Sequence, residues 1–340
     1  MSKRIPVNVL TGFLGSGKTS LLNRLLRDPA FANCAVLINE FGSIGIDHHL
    51  VDRVEGDIVL LQSGCVCCTI RGDLAASMRE LYGRRETGLV PAFERLVVET
   101  TGLADPMPVV STVMHDRVLQ HHFCSGNVIT TIDTLNGGRN LDEYPECLKQ
   151  AALADRLVLT KLDLAPDAKV QSLVGRLQQV NPMAALARND DSLDAQMLLG
   201  EDVFQANTKS QEVQRWMQAA KNKQFFSLSR PHSADANVHG DTHAFAIMQD
   251  AAIDWTIFGV WLSLLLHTHG ERVLRVKGLL NVAGSDTPVV IHGVQQMVYP
   301  PSHLDRWPDA DRQSKLVFIV RGLDPVAVES SLRSFLHDFS

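Results

Sequence analysis

Short apolar runs alternate with longer amphipathic segments over the N-terminal part of the chain. The runs are rich in Val, Ile and Leu, as strands are when both faces of a sheet are buried, and the segments between them have helical spacing. We predict strands at residues 5–10, 34–39, 57–61, 95–99, 127–133 and 156–160. This alternation predicts an α/β fold with a mostly parallel sheet covered by helices.

The alternation stops after the segment AKVQSLVGRLQQVNP, and a polar stretch follows it. The last hundred or so residues contain a strand pattern in HAFAIMQ, an apolar helix at 254–268, three further strand patterns and a helix that starts at Pro325. We therefore expect a first domain at 1–205, a linker with a helix at 206–240 and a small α+β domain at 241–340.

Composition narrows the class of protein. The 340 residues are 45% hydrophobic, enough for two cores. The net charge is −6 and the Lys and Arg residues are dispersed, which argues against a nucleic-acid partner. Polar residues interrupt the N-terminus before a signal sequence can form, and the apolar run at 256–266 is shorter than the ~20 residues of a membrane span. We expect a cytoplasmic protein without a membrane partner.

The stretch VNVLTGFLGSGKTS combines a strand, a glycine loop and the start of a helix. It fits G-x-x-x-x-G-K-[ST], in which backbone N–H groups cradle phosphates, the lysine reaches the β and γ phosphates and the hydroxyl binds Mg²⁺. A tight strand-to-helix turn is the alternative. We predict a nucleotide site, with Lys18 also catalytic and Thr19 also a metal ligand, at Gly12, Gly15, Ser16, Gly17, Lys18, Thr19 and Ser20.

A second predicted strand ends in RLVVETTG, where P-loop proteins place a carboxylate that binds Mg²⁺ or orients water. We assign that catalytic role to Glu99; an ordinary strand-end carboxylate is the alternative. Leu103 stands near the place where Ras-like GTPases carry a water-orienting glutamine. Slow intrinsic hydrolysis is therefore expected.

The segment TKLD after the 156–160 strand resembles the N-K-x-D guanine signature. Asp163 would accept hydrogen bonds from guanine groups that adenine lacks, and the Lys161 stem would lie along the base. Thr160 replaces the usual Asn, which predicts weaker base selectivity. A helix-start role is the alternative for Asp163.

Three of the six cysteines, Cys65, Cys67 and Cys68, crowd into QSGCVCC. In a reducing compartment such a cluster indicates a metal site more often than a disulfide. Two or three thiolates suit Zn²⁺ or Co²⁺, with a fourth ligand from water, histidine, a carboxylate or a partner. A redox pair and buried small side chains remain alternatives. Asp47, in the preceding INEFGSIGID, would complete the Mg²⁺ shell as part of a switch loop.

The motifs GFLGSGKT, NEFG, QSGCVCC, VVETTGLADP and TKLD, in this order, resemble the CobW-type P-loop GTPases related to UreG and HypB. VLRVKGLLNV and HGVQQMVY are similar to the family's C-terminal domain. The resemblance implies a P-loop NTPase fold and a GTP-hydrolysing metallochaperone. Such a protein would bind Zn²⁺ or Co²⁺ through the GCVCC cysteines and deliver it to a client metalloenzyme.

Two other functions compete with this one. A zinc-buffering protein would bind nucleotide passively, and a kinase or biosynthetic ATPase would not need TKLD. The sequence leaves open the client, the choice of metal and whether the chain is a homodimer. It also leaves open the roles of His115, His232, His239 and His243.

Overall fold

The computed structural model describes residues 4–31, 33–39, 59–62, 70–193, 195–199, 213 and 242–338. The chain forms two compact units. The first consists of Met1–Leu141, Ala154–Leu173 and Ala185–Val203, and the second of Asp142–Leu153, Val174–Ala184 and Phe204–Ser340.

The first unit is built on a seven-stranded sheet in which every neighbouring pair is parallel, so the predicted α/β fold is confirmed. The strand order is β3-β2-β4-β1-β5-β6-β7. The strands are β1 Ile5–Gly12, β2 Cys34–Asn39, β3 Val59–Gln62, β4 Arg95–Thr100, β5 Phe123–Asp133, β6 Arg156–Thr160 and β7 Ala185–Arg188.

Helices connect these strands, as parallel pairing requires. They are α1 Lys18–Leu25, α2 Ile70–Glu86, α3 Met107–His115, α4 Leu119–His122, α5 Gly137–Glu143, α6 Pro145–Leu153, α7 Asp167–Val180 and α8 Ala195–Leu199. Every residue of β1 is buried, because the strand lies in the middle of the sheet. Leu10, Val97 and Ile129 pack with the apolar side chains of α1 and α8. Helix α3 contacts β1 and β5.

The second unit contains an antiparallel sheet ordered β11-β10-β9-β13-β8, with β12 also paired to β10. Its strands are β8 Thr242–Gln249, β9 Val273–Leu280, β10 Val289–Val294, β11 Met297–Val298, β12 Ser302–His303 and β13 Ser314–Arg321. Helices α9 Trp255–His269 and α10 Pro325–Asp338 cover one face, where Phe258 and Trp261 pack with Phe318. The small α+β domain predicted at the C-terminal end is therefore present.

Helix α6 belongs to this second unit, although it precedes β6 in the chain. The Arg275 guanidinium in β9 donates to the carbonyl oxygen of Leu153, the last residue of α6. A cation at this position also suits the negative end of the helix dipole. The boundaries at 205 and 240 stay predictions. None of the helices in the described ranges is long and apolar enough to cross a membrane.

Candidate nucleotide site

Four neighbouring strands of the parallel sheet, in the order β4-β1-β5-β6, end side by side at its carboxyl edge. Ligands of open α/β sheets bind beyond this edge, because loops from adjacent strands converge there. The four strands end at Gly12, Thr100, Asp133 and Thr160. Most of the nucleotide-site residues predicted from the sequence lie at these ends or in the loops that follow them.

The glycine loop after β1 turns sharply before α1 begins at Lys18. Gly12, Gly15 and Gly17 have positive φ angles of 144°, 68° and 88°. A Cβ atom on Gly12 would lie 2.2 Å from the Thr131 hydroxyl oxygen in β5, so the loop packs directly on the neighbouring strand. This backbone geometry is the one that lets successive N–H groups of a P-loop face an anion.

Lys18, Thr19 and Glu99 lie together beside this loop. The Lys18 ammonium donates to the carbonyl oxygens of Gly12, at 2.9 Å, and Phe13, at 3.3 Å. The Thr19 hydroxyl donates to Glu99 Oε1 at 3.3 Å. Glu99 is only 7% exposed and sits in β4 between Leu10 of β1 and Ile38 of β2. A hydroxyl and a carboxylate at this distance are the hard oxygen donors that Mg²⁺ prefers. Ser20 is exposed on α1.

Gly102 brings the segment after Glu99 against the glycine loop. A Cβ atom at this position would lie 2.7 Å from the backbone nitrogen of Leu14 and 2.8 Å from its Cα. Only glycine therefore allows the two backbones to approach so closely. This contact couples the loop that follows β4 to the loop that follows β1.

Thr160 joins the glycine loop to the end of β6. Its buried hydroxyl lies 2.7 Å from the carbonyl oxygen of Ser16 and 3.3 Å from that of Ile132. The Ser16 hydroxyl in turn lies 2.7 Å from that of Thr131. The residue that replaces the usual Asn thus links the predicted phosphate and base sites.

Lys161 follows Thr160 with a left-handed backbone, φ 57°. Its ammonium donates to Asp133 Oδ2 at 2.8 Å. Burial would raise the pKa of Asp133, but hydrogen bonds from Lys161, from the Asn136 side chain and from backbone N–H groups outweigh it, so the pKa is lowered. Asp163 is exposed beyond Lys161, in a turn that the bond from Leu164 N to Lys161 O closes at 3.1 Å.

Sequence reasoning missed Thr131, Asp133 and Thr134 as members of this edge. The Thr134 hydroxyl lies 2.8 Å from the carbonyl oxygens of both Thr160 and Lys161. The available signal was TTIDT, in which an apolar strand ends in an aspartate and a threonine. That pattern is common at strand ends, and only the pairing of β5 with β6 brings it to TKLD.

Only two of the remaining candidate residues, His115 and His243, lie within the described ranges. Asp47, Cys65, Cys67, Cys68, His232 and His239 lie outside the described residues. His115, at the end of α3, has Nδ1 3.0 Å from the Ser111 carbonyl oxygen, and His243 lies in β8. Within the part of the chain that the structure describes, no three His, Cys, Asp or Glu side chains form a metal-binding group.

The other three cysteines behave as small core residues to different degrees. Cys34 and Cys147 are buried, and burial raises the pKa of each thiol to about 12. Cys124 is half-buried at the second position of β5. A thiol with so high a pKa is a poor metal ligand, because metals bind the thiolate.

Two family models match the chain in succession. Residues 6–188 match the CobW/HypB/UreG nucleotide-binding domain, and residues 242–336 match the cobalamin synthesis protein CobW C-terminal domain. The first model therefore spans more than half of the chain and includes every described residue of the candidate site.

Several relatives resemble the chain over most or part of its length. The zinc chaperone YjiA of Escherichia coli is 28% identical over 93% of this chain and 93% of its own. The zinc chaperone CobW of Pseudomonas aeruginosa is 28% identical over 98% of this chain and 92% of its own. The zinc-regulated GTPase metalloprotein activator 1 of Schizosaccharomyces pombe is 33% identical, over 54% of this chain and 45% of its own.

The fold also has a solved counterpart. The crystal structure of Zn(II)-bound YjiA GTPase from E. coli has a TM-score of 0.73, with 24% identity over 98% of this chain and 99% of that one. This agreement supports the fold, which comprises a parallel α/β unit and a unit with an antiparallel sheet.

Proposed function

This chain belongs to the CobW/HypB/UreG family of nucleotide-binding proteins, and from that premise we propose that it is a GTPase that carries Zn²⁺ to a client protein. The observation that carries the proposal is the carboxyl edge of the parallel sheet. There, Lys18, Thr19 and Glu99 lie beside one glycine loop, and Thr160 ties that loop to the TKLD turn.

The glycine loop, with Lys18, Thr19 and Glu99, forms the phosphate half of the site. The backbone N–H groups between Gly12 and Lys18 bind the β and γ phosphates, and the Lys18 ammonium leaves its loop carbonyls to meet them. Thr19 and Glu99 would hold Mg²⁺, which neutralises phosphate charge as the γ-phosphoryl group leaves. Glu99 also orients the attacking water. Without a glutamine after Gly102, hydrolysis is slow.

The TKLD turn, with Thr160, Lys161 and Asp163, forms the base half of the site. The Asp163 carboxylate accepts from N1–H and the 2-amino group of guanine, and the Lys161 stem lies along the base. Relatives named GTPases support a guanine rather than an adenine nucleotide. The short bonds of Thr160 and Lys161 to their neighbours support a turn that is formed before the base arrives.

Zinc is the cargo, bound by Cys65, Cys67 and Cys68. The relatives named zinc chaperones support zinc as the bound metal. The position of β3 supports a metal site in the segment that follows this strand. β3 ends at Gln62, three residues before Cys65, and lies next to β2, which neighbours the Glu99 strand. A γ-phosphate sensed at Glu99 would therefore act two strands away from β3, the strand that precedes the cysteines in the chain. Cobalt in place of zinc, the identity of the client and a homodimer are further expectations of the same proposal.

One experiment tests the GTPase. We expect wild-type protein with Mg²⁺ to bind GTP more tightly than ATP in a calorimetric titration and to release phosphate slowly. We expect Glu99→Gln to keep most of its GTP affinity, because the amide oxygen can still bind Mg²⁺, but to release phosphate at a rate reduced by about 100-fold, the usual range for one acid–base or orienting group. Equal affinity for ATP and GTP would contradict the base assignment.

A second experiment tests the metal ligands. Cys65→Ala and Cys67→Ala should each weaken Co²⁺ binding and reduce the thiolate-to-cobalt charge-transfer band. Cys124→Ala is the matched control, because this half-buried thiol lies in β5 and should leave the band unchanged. If both variants keep the band and the affinity, the ligands lie elsewhere in the chain.

A further inference from the structure

Asp133 stands at the end of β5, beside the base-reading turn rather than within it. We propose that Asp133 is the positioning residue of the guanine site: its carboxylate holds the Lys161 ammonium, which fixes the Lys161 stem and keeps that charge away from Asp163. The inference rests on the proposed function, because it concerns how the same site prefers guanine to adenine.

The carboxylate of Asp133 is itself fixed on all sides. Oδ1 accepts from the backbone N–H groups of Leu135, at 2.7 Å, and Asn136, at 3.2 Å. Oδ2 accepts from the Asn136 side chain, at 3.2 Å, and from Lys161, at 2.8 Å. The Asp133 side chain is 5% exposed, whereas that of Lys161 is 34% exposed. A buried anchor therefore holds the end of a side chain whose stem reaches the surface.

Hydrogen bonds also stabilise the backbone of the turn at Lys161. Lys161 has a φ of 57°, a left-handed conformation that is unfavourable for a residue other than glycine. Thr134 stabilises it, because its backbone N–H donates to the Thr160 carbonyl at 3.1 Å and its hydroxyl lies 2.8 Å from the carbonyls of Thr160 and Lys161. Strained backbone held by its surroundings is typical of ligand sites.

Charge explains why the anchor matters for base choice. The lowered pKa of Asp133 keeps this carboxylate ionised at neutral pH, so the ammonium stays paired. If Asp133 were neutral, the acidic side chain two residues along the turn, Asp163, would attract the freed ammonium. An Asp163 paired with Lys161 accepts poorly from guanine, whereas ATP offers that carboxylate no such donors and loses little.

Asp133→Asn tests this arrangement with the least change in shape. The amide oxygen keeps the Oδ1 bonds to Leu135 N and Asn136 N. The amide NH₂ group that replaces Oδ2 carries no charge and can no longer accept from Lys161 or from the Asn136 side chain. We expect affinities for GDP and a non-hydrolysable GTP analogue to fall about 10-fold, as loss of one charge-assisted hydrogen bond predicts. The affinity for the matching ATP analogue should change by less than twofold.

Asp116→Asn is a matched control. Asp116 has the same arrangement in the turn before α4: Oδ1 accepts from Val118 N, at 2.9 Å, and Leu119 N, at 3.0 Å, and Oδ2 pairs with Arg79 at 2.6 Å. α4 ends just before β5 begins, so this turn lies at the opposite edge of the sheet. We expect the variant to bind all three nucleotides as the wild type does.

A double variant tests the freed ammonium. Lys161→Met removes the charge and keeps the stem, so Asp133→Asn combined with Lys161→Met should recover most of the guanine preference that Asp133→Asn alone loses. No recovery, or an equal loss for GTP and ATP analogues in Asp133→Asn, would overturn the inference. A wild type without preference for GTP would instead overturn the proposed function, whereas a preference that Asp133→Asn retains would overturn only the role of Asp133.

Discussion

The two halves of the nucleotide site are held in different ways. In the phosphate half, Thr19 is exposed, its hydroxyl is 3.3 Å from Glu99, and the Lys18 ammonium bonds to carbonyls of its own loop. In the base half, the bonds of Thr160 to Ser16 and of Lys161 to Asp133 measure 2.7 and 2.8 Å and end on buried groups. Under the proposed function, the base half is organised before its ligand binds, whereas the phosphate half must rearrange to bind its own.

This difference assigns different tasks to the two halves. A preformed turn favours one base, because little ordering cost is left to be met on binding. Side chains that exchange protein partners for phosphate can report which nucleotide is present. β2 neighbours the Glu99 strand and β3 pairs with β2, and in the chain these two strands precede the predicted switch and cysteine segments. We therefore propose that the base half selects the nucleotide and that the phosphate half signals its state.

The largest effect is expected where the halves meet. Gly12→Ala places a Cβ 2.2 Å from the Thr131 hydroxyl and 2.7 Å from the Ser16 hydroxyl, so the glycine loop must move away from β5. We expect loss of measurable binding for GTP and ATP alike. Gly15 has a φ of 68°, within the left-handed region, and its added Cβ would meet no atom within 4 Å, so Gly15→Ala should cost only about 1 kcal/mol. Equal losses in the two variants would show that strain, not packing on β5, limits the loop.

Lys18→Ala affects the phosphate half alone. Loss of the ammonium leaves the phosphate charge without its cationic partner. Nucleotide affinity should therefore fall by roughly 100-fold, which corresponds to the loss of one or two charge-assisted hydrogen bonds. Because the base half is untouched, the ratio of GTP to ATP affinity should stay as in the wild type. A fluorescence titration with both nucleotides measures it. A changed ratio would mean that the two halves are not separate.

Thr160→Val cuts the link between the halves without changing the side-chain shape. The Ser16 carbonyl loses its 2.7 Å partner, which should cost about 1–3 kcal/mol in unfolding free energy. GTP and ATP affinities should both fall several-fold, in contrast to the selective loss of Asp133→Asn. Thr112→Val, which removes a 2.8 Å bond to the Pro108 carbonyl within α3, is the control and should leave both affinities unchanged.

The smallest effect concerns pH. Because the pKa of Asp133 is lowered in the folded state, its contribution to stability is present above the ordinary aspartate pKa of about 3.9 and is lost as pH falls through the lowered value. The difference in unfolding free energy between wild type and Asp133→Asn should thus be constant from pH 7 to 5 and shrink below about 4. Urea unfolding across this range measures it. A difference that grows in acid would contradict the ion pair.

The sequence predicted the sheet better than the site. β2 and β6 have the predicted bounds, because uniform apolar runs mark doubly buried strands. β7, Ala185–Arg188, went unpredicted because four residues of mixed character carry no clear period. β5 begins at Phe123 rather than residue 127, because Ser125 and Gly126 interrupt the apolar run in the sequence although both are buried in the strand.

The site could be predicted only where a motif is contiguous. Lys18 and Thr19 belong to one loop, and their spacing alone indicates their chemistry. Asp133 lies 28 positions from Lys161 and belongs to no motif, so only the parallel pairing of β5 with β6 unites them. The assignments of Glu99, Asp163 and the three cysteines stay predictions.

The central claim is that nucleotide state controls zinc. It is tested most directly by a competition titration of Zn²⁺ against a chelator, with Mg²⁺ and either GDP or a non-hydrolysable GTP analogue. We expect zinc to bind more tightly with the GTP analogue, by about 5–150-fold, and by linkage zinc must favour the GTP analogue over GDP by the same factor. Identical zinc affinities in the two states would contradict the account and would support a zinc-buffering protein that binds nucleotide passively.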